Sequence, residues 1–316
     1  MVKARGTKAP ERVETLDEAF DRIGKSARKA EWTQQSEAVP SKKPGISFQH
    51  TVLCQTFLPH LPTTARTWER EQGNVSLKIE AGEVKRGRRW VEVLMPHGEK
   101  SRLLLIHLNT EAVRTGNPVI DVERSLTALA RKLGMDTNGP SLRGFHDQVT
   151  RVAAANVRFA VGSEPGSVQG QIKIVKAFDL WWSDDGQPRV DWSSVLRLSD
   201  DYMAGLKGYA VPLDPDALAA LQHSSLCLDV YCWLAQRLHR IPPGRPQRIS
   251  WKALKEQFGP DYARERAFRS KFIEVLQKVW DAYPDARMDW NIDDGLILSR
   301  SPSPVSKRLV KGGFGA

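Results

Sequence analysis

Residues 225–262 read SLCLDVYCWLAQRLHRIPPGRPQRISWKALKEQFGPDY, and much of the predicted architecture follows from them. Apolar side chains at helical spacing predict a first helix over residues 226–238. A short β-type segment follows at 247–249. Ser250 is a typical N-cap for a second helix, which Gly259-Pro260 ends because proline cannot continue a helix. The stretch therefore predicts two helices separated by one short strand.

A third helix is predicted directly downstream, from Asp261 to Tyr283, and Pro284 stops it. Its apolar stripe consists of Phe268, Phe272, Val275, Leu276 and Val279. Two short alternating runs then flank Asp293-Asp294-Gly295, and an Asp-Gly turn between such runs is typical of a β-hairpin. Helix, strand, helix, turn, helix and hairpin is the order of a winged helix-turn-helix unit, which presents its third helix to the DNA major groove.

A similar order recurs earlier in the chain. Ser125–Gly134 and Ser250–Gly259 share the pattern Ser-x-x-Ala-Leu-x-x-x-apolar-Gly, and the flanking helical segments recur at nearly the same spacing. The first copy predicts helices at 101–113, 125–134 and 143–156, a strand at 119–121, and a long hairpin formed by 157–161 and 171–180. A longer turn is expected over 136–141, and residues 75–95 predict two strands joined by 83–89.

We therefore expect an α+β protein with two tandem winged-helix domains (helix-turn-helix plus β-hairpin) between disordered tails. The N-terminal tail is predicted at 1–45, where few large apolar residues are available to form a core. An N-terminal winged-helix domain is expected at 46–183. Residues 184–305 are expected to hold a linker segment and a C-terminal winged-helix domain, and residues 306–316 form a second flexible tail.

The composition narrows the class of partner. Of 316 residues, 41% are hydrophobic and 27% charged, which is typical of a soluble globular chain. A net charge of +10 and a pI near 9.6 indicate a polyanionic partner, either nucleic acid or an anionic membrane surface. No apolar run approaches the ~20 residues of a membrane span, and the N-terminus has no signal-peptide pattern. Three cysteines are too few for a disulfide framework, so a cytoplasmic location is expected.

The start of the third helix is the first candidate for DNA binding. If its apolar stripe faces inward, the outward residues are Tyr262, Arg264, Arg266, Arg269 and Ser270. Arginine can bind a guanine edge with two hydrogen bonds, so this face is suited to base contacts. Lys252 and Lys255 of the preceding helix are candidates for phosphate contacts, and Arg287 adds basic charge nearby. The alternative explanation is an ordinary solvated helix face.

The first copy offers a weaker candidate surface. Its third helix carries Arg143, His146, Gln148 and Arg151, which either contact DNA or face a second protomer. The densest basic cluster in the chain is Lys85, Arg86, Arg88 and Arg89. This cluster is interpreted either as a basic hairpin tip beside DNA phosphates or as a soluble loop.

Catalytic motifs are missing from the sequence. It has no Gly-x4-Gly-Lys-Ser/Thr phosphate loop and no His-hydrophobe-His metal motif upstream of a nucleophilic tyrosine, so neither ATP hydrolysis nor DNA nicking is expected. His223, Cys227, Cys232 and His239 approximate a zinc spacing, but two cysteines five positions apart on one helix point in different directions. We expect buried core cysteines, with no metal, no cofactor and no enzyme activity.

The chain resembles the plasmid-encoded RepA replication initiator family over roughly residues 50–305. The residues that carry the resemblance are LDVYCWLAQRL at 228–238, SWKALKEQFGPDY at 250–262, FRSKF at 268–272, YPDA at 283–286, RLLLIHLNTEAVRT at 102–115 and SLTALARKLG at 125–134.

This resemblance implies a tandem winged-helix initiator in the bacterial cytoplasm, associated with plasmid DNA. Such proteins bind direct repeats (iterons) in duplex DNA at a plasmid origin, help to open adjacent AT-rich DNA, and recruit the host initiator ATPase and replicative helicase. The C-terminal domain is then expected to make most sequence-specific contacts, while the N-terminal domain contacts the DNA backbone or forms a homodimer. A transcriptional repressor on the same fold, a DNA-nicking enzyme and a protein-interaction scaffold remain alternatives.

Overall fold

The computed structural model describes residues 45–123, 125–161, 168–171, 174–179 and 195–305. Apart from Gly45, the two predicted tails lie outside these residues. The helices are α1 (Gly98–Thr115), α2 (Leu126–Lys132), α3 (Gly139–Ala154), α4 (Asp200–Tyr209), α5 (Pro215–Leu221), α6 (Ser225–Arg237), α7 (Trp251–Phe258) and α8 (Glu265–Ala282).

The strands are short and form several small sheets. They are β1 (Ser47–His50), β2 (Thr67–Gln72), β3 (Val75–Glu80), β4 (Glu83–Arg86), β5 (Arg89–Glu92), β6 (Val119–Asp121), β7 (Asn156–Val161), β8 (Val168–Gln171), β9 (Val175–Asp179), β10 (Val195–Leu198), β11 (Ala210–Leu213), β12 (Gln247–Ile249), β13 (Met288–Asn291) and β14 (Gly295–Leu298). The protein is therefore α+β, as predicted. We call β1 to α4 the first unit and β11 to β14 the second unit.

The first unit packs around α1, which is buried along most of its length. An antiparallel sheet in the order β2-β3-β7-β8 supplies alternating apolar side chains to this core, among them Leu77 and Ile79. Helix α4 belongs to the same core, and its Tyr202 hydroxyl donates a 2.9 Å hydrogen bond to Asn109 of α1. Strand β10 and α4 fall in the segment predicted as a linker, and the domain boundary between residues 183 and 184 stays a prediction.

The predicted long hairpin of the first unit forms only in part. Strand β7 pairs antiparallel with β8, which begins at residue 168, but β9 pairs instead with β10 in a sheet of order β6-β10-β9. The reason is that β3 and β8 already occupy both edges of β7, so β9 has no free edge there.

The turn before α3 is shorter than the sequence predicted. Helix α3 starts at Gly139, because the Asn138 side-chain oxygen accepts a 2.9 Å hydrogen bond from the Ser141 amide and Pro140 fits the first turn. The residues from 139 onward that were predicted as turn are therefore helical.

The second unit follows the predicted order of elements. Helix α6, strand β12, helix α7, helix α8 and the β13–β14 hairpin succeed one another, and β14 pairs with both β12 and β13. Ser224 and Ser250 accept N-cap hydrogen bonds of 3.3 Å at α6 and α7. This topology is consistent with a winged-helix unit. Helix α8 begins at Glu265 rather than at residue 261.

The two units share an extensive apolar contact. Strand β1 pairs antiparallel with β11, and Phe57 of the first unit stacks on Phe258 of α7 at 4.9 Å. Arg102 of α1 binds both carboxylate oxygens of Asp229 of α6 at 2.7 Å, with side chains only 5% and 7% exposed. The guanidinium also donates to the carbonyls of Leu58 and Gly98 at 2.7 Å. Each charge is thus compensated, as a buried ion pair requires.

Candidate nucleic-acid interface

Helix α8 presents a polar face to solvent because its apolar stripe is buried. All five residues of the predicted stripe are buried. Arg266 and Ser270 lie on the opposite side, one helical turn apart, and both are exposed. Arg264 is the N-cap residue of α8 and is also exposed. In the described part of the chain, the side chains of these three residues have no hydrogen-bond or ion-pair partner, so they can bind an external group.

Arg269 differs from its neighbours on α8, because its guanidinium is engaged inside the unit. It forms a 3.0 Å ion pair with Glu265 and donates to the Ile292 carbonyl at the tip of the β13–β14 hairpin. The guanidinium carbon also lies 5.7 Å from the centre of the Trp251 ring. Arg269 therefore ties α8 to the hairpin tip and is not available for the predicted base contact.

The other predicted residues of the second unit surround α8. Lys252 of α7 and Arg287 are exposed, whereas Lys255 is half-buried. Tyr262 is also half-buried, with its ring edge against Phe268 at 5.7 Å, and so contributes to packing. The hairpin tip carries exposed Asp293 and Asp294, which would repel phosphate. The basic surface of this unit thus centres on the start of α8 and on α7.

A second basic surface lies on the β4–β5 hairpin, which we call the arm (Glu83–Glu92). Its Lys85, Arg86, Arg88 and Arg89 are all exposed. The predicted connecting segment 83–89 is largely strand: Arg86 pairs with Arg89, so Gly87 and Arg88 form the whole loop. Gly87 has φ +58°, which a two-residue hairpin loop requires and glycine adopts at little cost.

The base of the arm is fixed to the first unit. Arg66 donates hydrogen bonds to the carbonyls of Ala81 at 2.8 Å and Val93 at 3.0 Å, one on each side of the arm. Gly82 approaches the C-terminal end of α3 so closely that an added Cβ would lie 1.9 Å from the Ala154 carbonyl oxygen. The arm therefore has an anchored base and an exposed basic tip.

The arm lies beside α3, which the sequence did not indicate. Val84 of β4 is buried, and β4 contacts α3. Burial lowers the pKa of His146, Asp147 raises it, and the positive charge of Arg86 on the arm lowers it. His146 is half-buried and Arg143 is exposed.

Two of the predicted DNA contacts on α3 point inward. The side-chain oxygen of Gln148, which is 6% exposed, accepts hydrogen bonds from the His97 amide at 2.9 Å and the Ser101 hydroxyl at 2.6 Å. Arg151 is half-buried, with Nη1 3.1 Å from His97 Nδ1. Gln148 and Arg151 therefore hold α3 against the start of α1, and neither is free for the predicted contact with DNA.

Features that would indicate another class of site are missing from the described ranges. No helix there combines the length and hydrophobicity that crossing a bilayer requires. The same residues contain no group of three or more potential metal ligands among histidine, cysteine, aspartate and glutamate. Cys54, Cys227 and Cys232 are all buried thiols.

Comparisons with known proteins add a family and a fold. The sequence profile of a family described as plasmid-encoded RepA protein matches residues 95–253, half of the chain. No curated protein matches significantly. A crystal structure of RctB domains 2-3 is similar over 78% of this chain and 94% of its own, at 11% identity and a TM-score of 0.49. A crystal structure of a selenomethionine derivative of RctB domains 2 and 3 is similar over 81% of this chain and 99% of its own, at 12% identity and a TM-score of 0.50. At such low identity the likeness concerns the fold alone.

Proposed function

We propose that this chain, which belongs to the plasmid-encoded RepA family of replication initiators, binds repeated duplex sites at a plasmid origin and starts replication there without catalysing a reaction. The observation that carries the proposal is the exposed face of α8 with Arg264, Arg266 and Ser270. These side chains have no partner among the residues that the structure describes, and the apolar stripe on the other side of the helix is fully buried. A helix with one buried face and an unpaired basic face can enter the major groove without losing its packing.

Base recognition is assigned to Arg266 and Ser270. They lie one turn apart near the start of α8, where the side chains of a recognition helix reach base edges. Arginine matches the two acceptors of guanine, and a serine hydroxyl can donate to or accept from a neighbouring base. Arg264, at the end of the preceding loop, is suited to a flanking phosphate.

Non-specific affinity is assigned to the remaining exposed basic groups. Lys252 on α7 and the arm residues Arg86, Arg88 and Arg89 are exposed, and in this proposal they neutralise phosphates outside the base contacts. Neutralising phosphates releases counterions, so the affinity falls steeply with salt concentration.

The proposal includes two steps after DNA binding. Binding at the repeats favours opening of the adjacent AT-rich DNA, and the host initiator ATPase and replicative helicase are then recruited there. A homodimer through the first unit is part of the same proposal, as is a location with plasmid DNA in the bacterial cytoplasm.

The test starts with footprinting of the full chain on the DNA that flanks its own gene, which should show regularly spaced protected repeats. Arg266→Ala should then weaken binding to one repeat by about 1–3 kcal/mol, or roughly 5- to 150-fold, and relax the base preference at one position. Lys278→Ala is the matched control, because Lys278 is an exposed cation on the same helix, about 18 Å further along.

Equal effects of the two substitutions would show that α8 acts only through its charge, which contradicts base recognition. Footprints without repeats would contradict origin binding. If footprints form but the gene with its cognate origin does not sustain a plasmid, the protein is a repressor instead.

A further inference from the structure

Trp90 is the most unusual side chain of the arm. Its indole is 68% exposed on β5, although tryptophan side chains are mostly buried in folded proteins. Within the described residues it has no aromatic or cationic partner. Exposing so large an apolar group has a free-energy cost, and an exposed aromatic beside basic residues is typical of a binding surface.

The strand register places Trp90 on the face of the arm that points away from α3. Lys85 is its cross-strand neighbour, whereas Val84 pairs with Val91 and Arg86 with Arg89 on the other face. The buried Val84 marks that other face as the one packed on α3. The arm therefore has one face next to α3 that carries two arginines, and a separate face that combines an exposed indole with a lysine toward the tip. Glu83 and Glu92 lie on this second face at the base of the arm, where Glu92 forms a 3.7 Å ion pair with Arg66.

This combination matches the chemistry of unpaired bases. A base in duplex DNA is covered above and below by its neighbours, so an indole can stack on it only after the strand has separated. Aromatic side chains flanked by cations bind single strands by stacking and by contacting the backbone. Lys85 and the loop residue Arg88 are both exposed and lie within the same short hairpin as the indole.

We propose that Lys85 and Trp90 form a binding site for single-stranded DNA, in which an unpaired base stacks on the indole while Lys85 and Arg88 contact the flanking phosphates. The site deepens the proposed function, on which it rests, because strand separation at the origin would supply its ligand. The anchored base of the arm holds the indole in place, so little ordering is required when the strand binds.

The experiment measures binding of the full chain to a labelled oligodeoxythymidine of about 20 nucleotides, a length that exceeds the ~4–16 nucleotides of typical single-strand sites. A duplex of the same length without origin repeats and a duplex with one repeat are measured in parallel by fluorescence anisotropy. The variants are Trp90→Ala, Trp90→Phe and Lys85→Ala. Trp280→Ala is the matched control, because Trp280 is also exposed, at 42%, but lies on α8.

Trp90→Ala should weaken binding to the single strand roughly 5- to 150-fold, as expected for the loss of one stacked base. Trp90→Phe should lose less, because a phenyl ring still stacks, and Trp280→Ala should bind as the parent does. Binding of both duplexes should change less than about two-fold for Trp90→Ala, since Arg86 and Arg89, which are assigned to duplex phosphates, lie on the opposite face of the arm. Urea unfolding of each variant checks that the fold is intact.

An equal loss on single and double strands would overturn the proposal, because it would make Trp90 a duplex contact. Unchanged binding of the single strand by a folded Trp90→Ala variant would overturn it as well. Arg266→Ala separates this test from that of the proposed function, since it should weaken binding to the repeat duplex and leave oligodeoxythymidine binding intact. If the parent binds oligodeoxythymidine through Trp90 but no repeat, the proposed function fails while the single-strand site stands.

Discussion

Helices α3 and α8 hold the same place in the element order of their units, but they use their polar residues differently. On α8, Arg266 and Ser270 face solvent, whereas Arg269 is engaged inside the unit. On α3, Gln148 and Arg151 turn toward His97 at the start of α1, which leaves Arg143 and part of His146 at the surface. On the proposed function, the same position therefore serves DNA binding in the second unit, whereas in the first unit it serves internal packing.

The basic surface of the first unit lies mainly on the arm rather than on α3. The arm stands next to α3 and carries four exposed cations, more than α3 itself presents. The second unit has no such arm, and its hairpin tip is acidic at Asp293 and Asp294. Sequence similarity between the two copies therefore predicts a shared element order but not a shared binding surface.

The largest expected effect tests whether the two units behave as one body. Asp229→Ala should lower the free energy of unfolding by about 3–5 kcal/mol, because it leaves the buried Arg102 guanidinium without its carboxylate. Urea denaturation measures this loss, with the exposed Asp281→Ala as control. A double change to Arg102→Met and Asp229→Leu should recover most of it. A loss below about 1 kcal/mol in the single variant would mean that the pair adds little to the contact between units.

Acid should also destabilise the protein, through its buried histidines. Burial lowers the pKa of His50, in the first core, to about 4, against ~6.5 in an unfolded chain. Between these values the unfolded state binds more protons, so stability falls as the pH drops through this window, by roughly 2 kcal/mol for this residue between pH 6.5 and 5. Burial likewise lowers the pKa of His239 in the second unit to about 4.

His50→Phe keeps the ring stacked between Phe159 and Tyr202, at 5.6 and 5.2 Å in the parent, and should flatten the pH dependence. Denaturant midpoints at pH 7 and pH 5 measure the change. The exposed His223→Phe should keep the full dependence. An identical pH dependence in all three proteins would contradict the role of His50.

Gln148→Ala sharpens the contrast between α3 and α8 directly. It should cost about 1–3 kcal/mol of stability, because the His97 amide and the Ser101 hydroxyl lose a shared acceptor. DNA affinity per folded molecule should not change, in contrast to Arg266→Ala, which should lower affinity without lowering stability. Thermal denaturation and binding measured on the same samples separate the two. Weaker DNA binding by a fully stable Gln148→Ala variant would indicate that α3 contacts DNA, which contradicts its purely internal role.

The smallest expected effect concerns salt. Lys252 is exposed on α7, and Lys252→Ala should reduce the slope of log affinity against log salt by about 1, on repeat and non-repeat duplexes alike. Anisotropy titrations at salt concentrations from about 50 to about 200 mM, where phosphate contacts change the affinity strongly, measure this slope. Loss of affinity for the repeat alone would make Lys252 a base contact.

The sequence predicted the second unit closely because its signals are local. Ser250 and the Asp-Gly turn act within a few residues, so the start of α7 and the hairpin could be located from short patterns. The partner of β9 could not, because strand pairing depends on which edges distant strands such as β3 have already filled.

The candidate site was predicted in part for the same reason. Helical spacing placed Arg266 and Ser270 on the outer face of α8. It could not show that Arg269 reaches the hairpin tip or that Gln148 bonds across to α1, since both partners are distant in sequence. The family profile ends at residue 253, before α8, so the assignment of this helix depends on geometry.

The Arg102–Asp229 pair has a consequence for the spacing of DNA sites. The buried, doubly hydrogen-bonded contact between α1 and α6 opposes independent rotation of the two units. On the proposed function, the two units therefore contact DNA at a fixed spacing along the double helix. Inserting about five base pairs, half of a ~10.5-base-pair turn, between the positions contacted by the two units would bring them to opposite sides of the DNA and leave only one able to bind.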